Sequence, residues 1–225
     1  MIRWVQLGAA RVPGGNGELR LMQRGSEFSI FAGADELMGT RLSGSEEALA
    51  CLAADRLQDR ARPQILIGGL GMGFTLRAAL ARFGAEARIT VAELVPEVVT
   101  WARGPLAGIH GDSLSDPRVT LYIGDVGDLI TDVSARFDAI LLDVDNGPAG
   151  LMRAANDDLY DPYGLRQANA ALTPKGILAV WSAAPEPAFT RRLQAAGFHV
   201  EDHRVRANGR NTGPRHVVWL ATKTG

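Results

Sequence analysis

Cysteine is almost missing from this 225-residue chain: Cys51 stands alone. One cysteine can form neither an internal disulfide nor a thiolate metal cage. It sits in Glu47-Ala-Leu-Ala-Cys-Leu-Ala, an apolar helix face, and reads as core rather than as a reactive thiol. Long apolar runs are missing too. No stretch reaches about 18 apolar residues, so no membrane-spanning helix is expected. The opening Met-Ile-Arg-Trp-Val-Gln lacks a signal-peptide pattern, so the expected setting is reducing and cytoplasmic. A surplus of either charge is missing as well: 24 Lys plus Arg against 25 Asp plus Glu leave a formal charge of −1. A protein that coats nucleic acid needs a basic excess, so nucleic acid is not the expected partner. The histidines His110, His199, His203 and His216 lack ligand spacing, since a strand carries His199 and His203 well apart. No metal is expected. Ser26, Ser43 and Ser182 lack a nucleophile-elbow context.

What is present is apolar content, 46% against 22% charged residues, enough to offset the entropy of ordering a full-size domain. Glu18-Leu-Arg-Leu-Met and Glu27-Phe-Ser-Ile-Phe alternate around Arg24-Gly25-Ser26, which predicts a β-hairpin. Ser45-Glu46-Glu47 opens a helix to about Arg60, stopped by Arg62-Pro63. From Gln64 short apolar strands alternate with helices. The strands lie at Gln64–Gly68, Arg88–Leu94, Val119–Asp125, Phe137–Asp143 and Gly176–Ser182, the helices at Phe74–Phe83, Pro96–Ala102, Tyr163–Leu172 and Pro187–Ala196. Phe198–Arg206 and His216–Ala221 close the chain as an antiparallel pair. Alternation of this kind means a parallel sheet covered on both faces. The expected fold is α/β: a class I methyltransferase-type Rossmann-like sheet, mostly parallel with a C-terminal antiparallel hairpin. Residues 1–61 form an N-terminal β-hairpin and helix appendage to the domain 62–225.

Ile65-Leu-Ile-Gly68-Gly69-Leu-Gly71-Met-Gly73-Phe follows the first parallel strand and opens a helix. Glycine lets the backbone turn sharply and a ligand approach closely, and the helix N-terminus favours an anionic or polar group. A dinucleotide fingerprint needs a sixth-place glycine, and Phe74 stands there. The spacing resembles the S-adenosylmethionine-binding form of the loop. Glu93 ends the second strand, where a carboxylate accepts from ribose hydroxyls. Asp125, followed by Val126, ends the third, where an acid accepts from an adenine amine. Asp143 ends the fourth. Each Asp alone also fits a helix cap or turn, but three consecutive strand-end acids point to a ligand site.

With Val91-Ala-Glu-Leu-Val-Pro-Glu-Val-Val, Phe137-Asp-Ala-Ile-Leu-Leu-Asp and Asn156-Asp-Asp-Leu-Tyr-Asp-Pro-Tyr-Gly-Leu added, the chain resembles the spermidine synthase family of polyamine aminopropyltransferases from about Glu18 to Ala221. The resemblance implies a decarboxylated S-adenosylmethionine donor, a small-molecule amine acceptor, and Asp143 as base on the attacking nitrogen. It places Asp145, Asn146 and Tyr160 near the acceptor, and Trp181 is a pocket wall or a core residue. The stretch from Asp143 to Asp161 holds five Asp against Arg153, a rim suited to a cation or a solvated loop. Three positions depart from the family. Gly71 replaces the loop's Asp, Asn146 replaces the second Asp of Asp-x-x-Asp, and Ser45-Glu46-Glu47 stands where Tyr-His-Glu is usual. Loss of the loop acid leaves intact S-adenosylmethionine open as donor. The alternatives are a methyltransferase acting on a small molecule or RNA, and a non-catalytic nucleotide-binding or interaction protein. His203 to His216 carries Arg204, Arg206, Arg210 and Arg215 with no acid. That hairpin lacks base-stacking aromatics and reads as a solvated tip, or as a face pairing with a second subunit in a homodimer.

Overall fold

Strands with one covered face alternate apolar and polar residues, whereas strands covered on both faces do not. Both kinds occur here, and each builds its own sheet. In a computed structural model of the chain, which describes residues 2–15, 17–144, 158–208 and 213–224, four antiparallel strands come first. They are β1 (Val5–Arg11), β2 (Glu18–Arg24), β3 (Glu27–Ala32) and β4 (Asp35–Gly39), in that spatial order. The expected hairpin is therefore the centre of a larger sheet. Its flanking strands escape a reading by pattern because β1 is mostly exposed and carries Gly8-Ala9-Ala10, and β4 is only five residues long.

Helix α1 (Gly44–Arg56) follows, ending a turn earlier than its sequence predicts, with Leu49, Ala50 and Ala53 fully buried. The second sheet holds β5 (Gln64–Gly68), β6 (Arg88–Glu93), β7 (Val119–Ile123), β8 (Phe137–Leu142), β9 (Leu172–Ser182), β10 (Phe198–Arg206) and β11 (Arg215–Lys223). Its order is β10-β11-β9-β8-β5-β6-β7, parallel from β7 to β9 and antiparallel in the last two strands. This is the expected methyltransferase-type arrangement. Between the strands run α2 (Phe74–Arg82), α3 (Pro96–Arg103), α4 (Ala107–His110), α5 (Val126–Ile130), α6 (Pro162–Ala171) and α7 (Pro187–Ala195).

Successive strand residues point to opposite faces, so Ile65 and Ile67 join one core while Leu66 joins the other. The first core takes α1, α2, α3 and the N-terminal sheet through Leu21 and Ile30; the second takes α5, α6 and α7. From β5 the chain winds outward to β6 and β7, then returns to β8 on the other side. Such a reversal opens a crevice at the carboxyl ends of the strands. In this molecule it lies between β5 and β8.

Candidate active site

The loop after β5 is tied to both neighbours of that strand. The Gly69 amide donates to the Ala92 carbonyl at 2.8 Å, and the Asp143 amide donates to the Gly68 carbonyl at 3.0 Å. Glu93 fastens the same loop from β6. Its Oε2 accepts the Leu70 amide at 3.0 Å and its Oε1 accepts the Val95 amide at 2.8 Å. Burial pushes the Glu93 carboxyl up, and the amides of Val95 and Leu70 pull it back. A carboxylate oxygen accepts more than one hydrogen bond, so Glu93 has acceptor capacity left for hydroxyls.

Three glycines of the loop are required by their surroundings, Gly69 because it has φ +93° and a Cβ there would run into the Asp143 carbonyl. Gly71 has φ +49°, and a Cβ there would lie 2.8 Å from the Met38 sulfur of β4. Gly73 has φ +79° and precedes α2, and a Cβ there would run into the His110 ring. The loop is thus pressed from one side by the N-terminal sheet and from the other by α4.

A cleft opens above it. Gly69, Gly71, Glu93, Asp125, Val126 and Asp143 all line it, which brings together most of the residues the sequence singles out. Its roof comes from Val12, Leu19, Ile30, Leu37 and Met38 of the N-terminal part. The strand-end acids therefore face a mostly apolar lid, an arrangement that suits a nucleoside: polar edges below, flat surfaces above. Asp125 serves two ends, because its Oδ1 also caps α5 by accepting the Gly127 amide at 2.9 Å.

A second, smaller chamber adjoins the first, with Leu37, Met38, Gly71 and Asp143 in the wall of both. Gly73, Phe74, Trp181 and Glu46 complete it. Asp143 is half-buried here. Its Oδ2 accepts the Thr75 hydroxyl at 2.6 Å, and burial raises its carboxyl to about 6 against the pull of that hydroxyl. Glu46 is raised to about 7, first by burial and then by the neighbouring charge of Asp143. Reading by motif misses Glu46 as a wall of this chamber. Ser45-Glu46-Glu47 is visible in the sequence only as a departure, and α1's docking angle decides which Glu turns inward; Glu47 is exposed.

Tyr160 departs from its expected place. It is 3% exposed, lies in the core on the other face of the sheet and packs edge-on against Phe189 at 5.6 Å. It lines neither chamber, because the half-turn before α6 buries it. Trp181 is a chamber wall and also meets the His216 ring edge-on at 4.9 Å. Asp145, Asn146 and Arg210 lie outside the described residues. Among the described residues no three His, Cys, Asp or Glu side chains gather as a metal would need. No described helix is long and apolar enough to cross a membrane.

Comparison with known proteins fits this geometry. Residues 46–193 match the model of the spermine/spermidine synthase domain. The polyamine aminopropyltransferase of Mycobacterium tuberculosis (strain CDC 1551 / Oshkosh) is 30% identical over 197 residues, 84% of this chain and 36% of that protein. That of Sulfolobus acidocaldarius is 31% identical over 121 residues, 54% of this chain and 39% of that protein. The chain thus spans well under half the length of these curated relatives. The crystal structure of spermidine synthase from Thermotoga maritima superposes with a TM-score of 0.77 at 16% identity, covering 97% of this chain and 72% of that one. With two thirds of its length matched by the domain model, and the sheet order and glycine loop in place, the chain belongs to the spermine/spermidine synthase family.

Proposed function

We propose that this chain transfers an aminopropyl group from decarboxylated S-adenosylmethionine to a small amine. The observation that carries the reading is the place of Asp143, in the shared wall of a cleft lined by the strand-end acids and a small acidic chamber. In this scheme Glu93 holds the ribose, Asp125 and Val126 hold the base, and the loop through Gly69, Gly71 and Gly73 carries the donor past Asp143. The second chamber, with Glu46, Asp143 and Trp181, receives the amine. An ammonium is attracted to these acids, and Asp143 takes its proton so that the nitrogen lone pair can attack. Holding the two reactants in line across one wall supplies much of the acceleration. Asp145 and Asn146, two and three residues beyond Asp143 in the chain, are assigned to the acceptor amine. The cytoplasm is the setting that fits, and a homodimer would let the basic β10–β11 hairpin meet acids of a second copy.

Calorimetry with decarboxylated S-adenosylmethionine, the intact donor and methylthioadenosine tests this, followed by turnover with labelled donor and putrescine. The decarboxylated donor should bind most tightly. Asp143→Asn should lower turnover by about 10²- to 10⁴-fold with donor affinity little changed. Preference for the intact donor would transfer the site to methyl transfer. Absence of binding by all three would leave a non-catalytic protein.

A further inference from the structure

Alkylation of an ammonium by a sulfonium releases one proton. The new C–N bond forms as the C–S bond breaks, sulfur keeps the electron pair and becomes a neutral thioether, and the nitrogen stays cationic. The proton must leave the chamber before the next turnover. Two carboxylates can accept it, and one of them is hydrogen-bonded away from the chamber. Ser45 Oγ donates to Glu46 Oε2 at 2.6 Å and lies 2.9 Å from His216 Nδ1. Ser45 is fully buried and His216 on β11 is half-buried, so the line runs from chamber toward the outside. Its inner end is braced from α2, where Thr75 Oγ1 donates to Asp143 at 2.6 Å and meets the Glu46 carbonyl at 3.3 Å. Its outer end is braced where the Gly44 amide donates to the Ala207 carbonyl at 2.8 Å, tying the start of α1 to the end of β10.

We infer that Glu46, Ser45 and His216 form a proton path out of the second chamber. The path rests on the proposed reading that an amine attacks there. The proton taken from nitrogen by the Asp143–Glu46 pair turns Glu46 from acceptor to donor. As Glu46 gives its proton to Ser45 Oγ, the Ser45 hydrogen passes to Nδ1 of the Nε2–H tautomer of His216. The imidazolium gives its Nε2 hydrogen to water, and the ring regains that tautomer by exchange with solvent. Glu46 faces Asp143 and Glu47, both of its own sign, which raises its hold on a proton. His216 pairs across β10 with Val205, flanked by Arg204 and Arg206, so no carboxylate of β10 stands opposite it. Burial keeps its ring below the ordinary value, leaving it neutral and able to accept near neutral pH. A path of this kind makes Ser45 and His216 positioning and relay residues, and neither needs to touch the amine.

Two measurements on the full chain test it. Proton–nitrogen spectra of the His216 ring, followed through neutral pH without ligand, should show an inflection tracking Glu46, near pH 7. Ser45→Ala should remove that inflection. A His216 titration identical in both proteins overturns the path. With decarboxylated donor and putrescine in weak buffer, Ser45→Ala and His216→Asn should each slow proton release on the order of tenfold. Added imidazole should restore the rate, Ser45→Thr should retain it, and donor affinity should not move. An unchanged rate, or a loss that imidazole leaves in place, makes Ser45 a plain structural anchor and overturns the path. If the wild-type chain releases no proton with this pair, the proposed reaction falls, and the ring titration still decides whether the path exists.

Discussion

Glu46 and Asp143 share a small chamber; burial makes both harder to ionise, and the charge of Asp143 adds to the effect on Glu46. Their carboxyls rise from 4.5 to about 7 and from 3.8 to about 6. Between the unfolded and folded values the folded chain binds more protons than the unfolded one. Stability therefore falls as pH rises from about 4 to about 7, then levels. Glu46→Gln should flatten that slope and raise the melting temperature above neutral pH, measured by thermal unfolding across the same range. An amine cation reverses the preference, because it favours the ionised pair; its binding should tighten through the same window and release protons. Asp143, Glu93 and Asp125 were legible as residues of the cleft because a strand end fixes where a side chain stands. Glu46 was not, because a residue in the first turn of a helix points wherever packing rolls that helix. Tyr160 misled for a related reason: a tyrosine beside a cluster of Asp looks the same in sequence whether its ring is a wall or core.

The glycine loop is one element with four neighbours: β6 through Glu93, the end of β8 through Asp143, β4 through Met38, and α4 through His110. Loop and α2 move together, because the loop's last residue caps the helix. Gly73→Ala combines a left-handed backbone with a side chain driven into the His110 ring, and should cost about 1–3 kcal/mol. Adding His110→Ala should recover only the steric part, leaving the backbone part, a non-additivity that denaturant titration of both single variants and the double variant would measure. A neutral Gly73→Ala would mean the loop is not held by α4 at all. The loop and its strand were plain in the sequence, since an apolar run followed by spaced glycines has few other uses. The four-residue α4 that presses on it was not, because a single turn has no periodicity to detect.

At the scale of the whole molecule, alternation of strands and helices with right-handed crossovers left few topologies open, and the parallel sheet followed from it. The N-terminal part was harder. Its hairpin was visible, but β1 and β4 draw their strand character from pairing with β2 and β3 rather than from their own residues. Nor does any pattern say where a small sheet will dock. It docks over the crevice, with Leu19 of β2, Ile30 of β3 and Leu37 and Met38 of β4 lining the larger cleft. A molecule filling that cleft touches both sheets at once, so it binds only while they are joined. Binding of that kind adds stability to the joined state alone, about 2.7 kcal/mol at a hundred times the dissociation constant. Amide hydrogens of β3 that exchange through undocking should then slow by about a hundredfold at that concentration, while those of β10 keep their rates. Uniform slowing across both sheets would show that undocking is not the route of exchange. Through its roof, the molecule would report donor occupancy as the exchange lifetime of a sheet that contributes none of the site's carboxylates.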